Sequence, residues 1–353
     1  MDKKDPFSPI TIGGIEAGNR IMRSAVNDHL GNPDGTVSDA QIDMYDVLAR
    51  NEIGSIITGH ISVLPELDCR ADPVQLSAGD DGKIDGLRRI ADKVHEYGGV
   101  AVAQISHAGS RGMKRVDFNE LPSDSLKSIG GLFVDAAARV QAAGFDAVEV
   151  HAAHWYMLAS MLNADINCRT DEYGGDASGR LRLTRHIVEG IRSRCGSEFG
   201  IFVKLNAHNT LAGIDDEYML VDYARELQAA GVDLVDVSGM SFAKQARSAE
   251  CYFIDAARRV KEACPELVVA LVGGIFSRAT IERALDAVDM ASLGRTLLTQ
   301  PDFIARMRAG EAEQSRCIRC NKCFEVFKTK FERCIFGPVN PKLKETFGGE
   351  DSK

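Results

Sequence analysis

The chain has 353 residues, 44% of them hydrophobic and 26% charged, with a formal net charge of −9. This composition supports a sizeable core and excludes a disordered chain, and the length suits one large α/β barrel or two smaller domains. The acidic balance argues against nucleic acid or an anionic membrane as the main partner, but a small anionic ligand needs only a local positive site.

The opening stretch MDKKDPFSPI lacks the apolar core of a secretory signal, and no apolar run reaches membrane-spanning length. A cytoplasmic location is the expectation. Nine cysteines without such a signal point to thiols in a reducing compartment.

Taken in chain order, short apolar runs read as strands at 21–25, 55–58, 100–104, 147–151, 201–205, 234–237, 268–272 and 290–293. Several are nearly continuous, as expected of parallel strands covered on both faces. Amphipathic helical stretches fall between them. In 84–97, Leu87, Ile90, Ala91 and Val94 recur at helical spacing before Gly98. In 216–230, Leu220, Tyr223, Ala224 and Leu227 form the stripe before Gly231. Ser277 is an N-cap candidate for the helix carrying Ile281 and Leu285. The polar stretch 106–131, with Arg111, Lys114 and Arg115, reads as a long loop, either a substrate lid or a solvated connector.

Eight strands alternating with helices predict a (β/α)8 TIM barrel. A doubly wound open sheet would place a glycine-rich phosphate loop after its first strand. Here Val26, Asn27, Asp28 and His29 follow instead. The glycines lie after the seventh and eighth strands, as Gly273-Gly274 and Gly294-Arg295, where barrels bind phosphate.

The chemistry-rich segment spans 143–183. A buried strand runs into His151, His154 and Tyr156 at the carboxyl end, where barrel active sites are built. Two imidazoles and a phenol there would hold a carbonyl oxygen and deliver a proton. By spacing alone the histidines equally suit a core role, or metal ligation.

The segment HAAHWYML, followed by NCRTDEYGG, resembles the signature region of the Old Yellow Enzyme family. GNRIMRSA at 18–25, AVAQISHAG at 101–109, ALVGGI at 270–275 and SLGR at 292–295 follow the family order. The resemblance reaches to about residue 310 and implies an FMN-binding barrel that takes hydride from NAD(P)H. It assigns His151 and His154 to the substrate carbonyl oxygen and Tyr156 to proton donation. Gln104 would face the flavin pyrimidine edge. Lys204, where the family commonly has Arg, would sit near flavin N1 and C2=O. Gly273, Gly274, Gly294 and Arg295 would bind the phosphate. Ser24, Ala25 and Gly59 would line the flavin by backbone contact. Asn167, Arg169, Asp171, Tyr173, Arg180 and Arg182 are expected to tie loops together.

The pattern departs from the family at further places, among them DASGR at 176–180 where the family usually has SxENR. Trp155, the only tryptophan, replaces a usual glycine. Asn27 stands where relatives carry Thr or Cys against the flavin. At the C-terminus, Cys317, Cys320, Cys323 and Cys334 resemble the iron–sulfur segment of the 2,4-dienoyl-CoA reductase branch, with one residue missing from each of the last two gaps. Four thiolates there would hold a [4Fe–4S] cluster or zinc, or stand free as a relic.

The expectation is therefore a barrel over 1–310 and a cysteine-bearing extension over 311–353. The activity expected is that of an FMN-dependent NAD(P)H oxidoreductase of ene-reductase type acting on a small activated alkene. The alternatives are an electron-transfer flavoprotein using a C-terminal cluster and a non-enzymatic barrel for a phosphorylated ligand. The oligomeric state stays open, a homo-oligomer included.

Overall fold

The structure is a computed structural model that describes residues 4–208, 217–240, 245, 247–324 and 334. A small antiparallel hairpin, β1 (Ile10–Ile12) and β2 (Ile15–Ala17), precedes the barrel. The barrel strands are β3 (Ile21–Arg23), β4 (Ser55–Ile57), β6 (Val100–Ser106), β7 (Ala147–Ala152), β8 (Gly200–Asn206), β9 (Leu234–Ser238), β10 (Val268–Val272) and β11 (Met290–Leu293). Each pairs in parallel with its neighbour, and β11–β3 and β4–β6 contacts close the ring. A two-residue strand, β5 (Ile61–Ser62), pairs with the upper end of β6. All eight strands read from the sequence are present, their ends shifted by at most two residues.

Helices α1 (Asp39–Ala49), α2 (Ile84–His95), α3 (Ser123–Ala142), α4 (Met157–Leu162), α5 (Ala177–Cys195), α6 (Glu217–Ala229), α7 (Ile254–Ala263), α8 (Arg278–Leu285), α9 (Arg295–Thr299) and α10 (Phe303–Arg308) complete the order. Local chemistry explains their starts. Ser38 caps α1 in a capping box with Gln41, and Ser277 caps α8 in another with Thr280. In α2 the stripe Leu87, Ile90, Ala91 and Val94 is buried, as its spacing predicts.

The loop expected over 106–131 is shorter. α3 begins at Ser123, directly after Pro122, and buries Leu126, Gly130 and Phe133. The serines and the Gly130-Gly131 pair mask the helix locally. Packing of α3 against α5 overrides that weak propensity, and Gly130 itself lies against Leu183.

Strand periodicity separates two cores. Outward residues such as Ile56, Ala103, Val148, Val203, Val235 and Leu271 join the helices in the larger cluster. Inward residues Met22, Ile57, Val102, Ala147, Phe202, Leu234, Ala270 and Met290 form a second cluster with Ile12 and Ala17 of the hairpin. The hairpin therefore packs onto the apolar inner layer. Two residues further along six of the strands the inner layer turns polar. Ser24, Gln104, Glu149, Lys204, Asp236 and Ser292 occupy it, all buried. The next step reaches Ser106, His151, Asn206, Ser238 and Gly294. The alternation of side chains along a strand thus builds the barrel in layers, apolar below, charged in the middle, reactive at the carboxyl end.

Candidate active site

The middle layer is held by an ion pair. Lys204 and Asp236 are in register on β8 and β9, and the ammonium donates to the Asp236 carboxylate and, at 3.2 Å, to Ser24 Oγ. Glu149 accepts from the Gln104 carboxamide on the neighbouring strand. Burial opposes the charge on Lys204, but Asp236 and Glu149 outweigh it and hold the ammonium's pKa up. Burial pushes the Glu149 carboxyl up. Glu149 Oε1 and Asp236 Oδ1 have no hydrogen-bond partner among the described residues.

Above this layer lies a cavity of about 490 Å³. Ser24, Ala25, Gln104, Gly273, Gly274, Gly294 and Arg295 line it, with His151, His154 and Tyr156. Ten of the residues singled out in the sequence are thus brought together. Gly59 and Lys204 are buried and not on the lining. Gly59 donates its N–H to Tyr45 Oη at 3.0 Å and lies under the Val26 carbonyl. Lys204 is engaged by Asp236 one layer down.

The three reactive rings form one cluster. His151 and Tyr156 have centroids 5.0 Å apart, and His151 and His154 are 5.2 Å apart. Burial pulls both imidazoles down, His154 to about 3 and His151 well below its usual value, with His60 and Lys204 among the lesser causes for both. Both are neutral at pH 7 and present N–H donors without net charge. His154 Nε2 is 2.7 Å from Ser238 Oγ. His151 Nδ1 is buried with no hydrogen-bond partner among the described residues.

The backbone at the end of β7 is unusual. His154 and Trp155 have φ of 60° and 68°, the left-handed region that suits glycine. Trp155 therefore keeps the conformation that a glycine would adopt freely, at a strain cost of about 1 kcal/mol or more. Its ring lines the cavity, with the Arg111 guanidinium 5.8 Å above it. Asn27 also lines the cavity and donates to Asp72 Oδ2 at 2.8 Å.

The phosphate end is shaped by backbone. Gly273 and Gly274 have φ of 125° and 71°, and a Cβ on them would fall 2.6 Å from Tyr252 and 2.8 Å from the Cys251 nitrogen. Over Gly294 the space is open, the nearest heavy atom to a Cβ being Val26 at 3.8 Å. Arg295 opens α9 and donates to Asn321 and, at 2.8 Å, to Tyr252 Oη. This cradle, the cavity volume and the orphaned ring nitrogen fit FMN: Gly273, Gly274, Gly294 and Arg295 would hold its phosphate and Gln104 its ring edge.

The loop-tying residues behave as expected. Asn167 Nδ2 donates to the carbonyls of Met161 and Tyr173, both at 2.8 Å. Arg169 pairs with Asp171 and reaches the carbonyls of Phe118 and Leu121 at 2.6 and 2.7 Å. Arg180 donates to the Gly175 carbonyl at 2.5 Å and Arg182 to the Glu172 carbonyl at 2.7 Å.

Cys317, Cys320, Cys323 and Cys334 are half-buried. Among the described residues no three or more His, Cys, Asp or Glu side chains are gathered to hold a metal ion. Cys323 lines the cavity. Residues beyond 310 return to the barrel: Arg278 N–H bonds the Glu313 carbonyl at 2.9 Å, and Ser315 N–H the Phe276 carbonyl at 2.8 Å.

Sequence reasoning missed His60, Ser238, Tyr252 and Phe276 on the lining. His60 had a usable signal, since it follows the second barrel strand at its carboxyl end. Tyr252 and Phe276 had none, because their positions depend on how two loops fold over β10.

Residues 5–128 and 115–314 match the NADH:flavin oxidoreductase / NADH oxidase family. The chain is 28% identical to 4,4'-dithiodibutanoate disulfide reductase of Rhodococcus erythropolis, over 93% of this chain and 94% of that protein. It is 29% identical to an NADH oxidase of Thermoanaerobacter brockii over 94% of its own length, and spans 56% of that larger protein. The structure of the old yellow enzyme homologue from Zymomonas mobilis superposes with a TM-score of 0.75, at 20% identity, covering 95% of this chain and 98% of that one. Among the described residues no helix is long and apolar enough to cross a membrane. The chain belongs to the NADH:flavin oxidoreductase / NADH oxidase family, and is an FMN-dependent NAD(P)H oxidoreductase on a (β/α)8 barrel.

Proposed function

We propose that the chain is an ene-reductase acting on a small activated alkene, with Tyr156 as proton donor and His151 and His154 as the site for the substrate's carbonyl oxygen. One observation carries this reading: two neutral imidazoles and a phenol share one wall of the cavity, with adjacent ring centroids 5.0 to 5.2 Å apart. When bound, FMN supplies the hydride that NAD(P)H delivers to it. The imidazole N–H groups would stabilise the negative charge that builds on the carbonyl oxygen as the β-carbon is reduced. The Tyr156 O–H would protonate the neighbouring carbon. Trp155 and Arg111 would narrow the entrance and limit the alkenes accepted.

Replacing Tyr156 with Phe tests the reading. Alkene reduction is expected to slow by roughly 10²–10⁴-fold, with bleaching of the flavin by NAD(P)H largely intact. Equal loss of both half-reactions would refute it.

A second reading is reduction of an organic disulfide, the bond named for the Rhodococcus relative. It is favoured by Cys323, a thiol on the cavity lining. Release of free thiol from a dithiodialkanoate under NAD(P)H would support it; turnover of enones alone would exclude it.

A further inference from the structure

Beside this cluster, on the cavity lining, lies a residue with no part yet in the chemistry. His60, just beyond β4, places its Nε2 3.2 Å from Tyr156 Oη, with ring centroids 4.8 Å apart. The surrounding bonds decide which atom donates. The Gln75 Oε1 accepts from the Ala71 N–H at 2.7 Å, so the other end of that carboxamide is the NH2 group. That NH2 donates to the His60 carbonyl at 3.1 Å and lies 2.6 Å from His60 Nδ1. Facing a donor, Nδ1 must accept. Ser106 Oγ, 3.0 Å from Nδ1, supplies a further hydroxyl.

Burial pulls the pKa of His60 down to about 4, so the ring is neutral at pH 7 and carries its one hydrogen on Nε2. Asp72 raises and His29 lowers its pKa, the His151 ring is 6.2 Å away, and His154 also feels its charge.

We infer that His60 is a positioning residue for Tyr156: its Nε2–H donates to the phenol oxygen. This rests on Tyr156 being the proton donor. As the Tyr156 O–H bond breaks and the new C–H bond forms, the electron pair stays on Oη. His60 Nε2–H already donates to that oxygen. No proton leaves His60, and water restores the phenol. A hydrogen bond to a charged oxygen is about twice as strong as one to a neutral oxygen, so the contact strengthens as the proton departs. Gln75 and Ser106 act at one remove, by fixing the imidazole tautomer.

The first test needs no variant. In the flavin-loaded chain labelled with ¹⁵N-histidine, His60 is expected as the Nε2–H tautomer, and an Nδ1–H tautomer overturns the inference.

The second test labels tyrosine at Cζ with ¹³C and assigns Tyr156 by its loss in Tyr156→Phe. In His60→Leu the titration of that signal is expected to move up by about one pH unit. Alkene reduction should fall about tenfold more than flavin reduction by NAD(P)H. His60→Gln, whose amide N–H reaches the same place, should restore most of both. An unmoved titration in His60→Leu overturns the inference whatever Tyr156→Phe does to turnover. A moved titration with normal turnover in Tyr156→Phe overturns the proton-donor reading, and with it the catalytic consequence of the contact.

Discussion

Lys204 and Asp236 meet as a fully buried ion pair between the apolar plug of the barrel and its reactive mouth. Removing one partner of such a pair strands a charge in a medium that cannot solvate it. Lys204→Met is expected to lower stability by about 3–5 kcal/mol. The double variant with Asp236→Leu should recover most of that loss. Urea denaturation measures both, and a single variant costing under about 1 kcal/mol would show that the pair is solvated after all.

His151 and His154 are neutral donors in one wall of the cavity, so their target is an oxygen that gains negative charge. Phenolates resemble that state. In the flavin-loaded protein, His151→Ala combined with His154→Ala should weaken phenol binding by about tenfold or more, as loss of two hydrogen bonds to a charged group predicts. Spectral titration with a substituted phenol reads this directly. An unchanged affinity would remove the oxyanion role.

Trp155 is the only tryptophan and its ring lines the cavity. Adding FMN to flavin-free protein should therefore quench most of the tryptophan emission. Emission indifferent to FMN would place the flavin elsewhere. Trp155→Gly removes a side chain from a φ of 68° and should raise stability by about 1 kcal/mol, measured by circular dichroism, while admitting bulkier alkenes. A destabilised variant would mean that the ring's packing outweighs the backbone strain.

Acid should unfold the protein through its histidines. Burial depresses His60 and His107 to about 4 and His154 to about 3, below the value of about 6.5 in the unfolded chain. The unfolded state then binds more protons. Stability is full above that unfolded value and falls as pH drops towards the folded one. Each of these histidines should contribute a loss of about 2 kcal/mol by pH 5. His95 runs the other way, because Asp146 raises its pKa, and its contribution is lost only as pH rises. Urea midpoints at pH 7, 6 and 5 give the slope, and a flat profile would mean that these rings are solvated.

Much of the site was visible in strand periodicity. Once residues 147, 149 and 151 are placed on one face, the sequence Ala, Glu, His already describes a plug, a charged layer and a reactive group. The same holds for Phe202, Lys204 and Asn206. What periodicity does not give is the partner of each inward group. For Lys204 the residue type suggested a place beside the flavin, and only the structure shows that Asp236 on the next strand holds it. His60 lacked a motif, and its bond to Tyr156 joins residues 96 positions apart.

The sequence by itself determined the eight strands, the barrel, the glycine cradle and the cluster of His151, His154 and Tyr156, because each is written in local patterns of period two or in adjacent residues. The tertiary structure alone decided that Lys204 sits in an ion pair below the cavity, that residues 123–131 are helix, that Cys323 reaches the lining, and that His60 faces Tyr156. Those outcomes depend on which distant groups satisfy a buried polar atom or cover an apolar face, and that is settled only when the barrel closes.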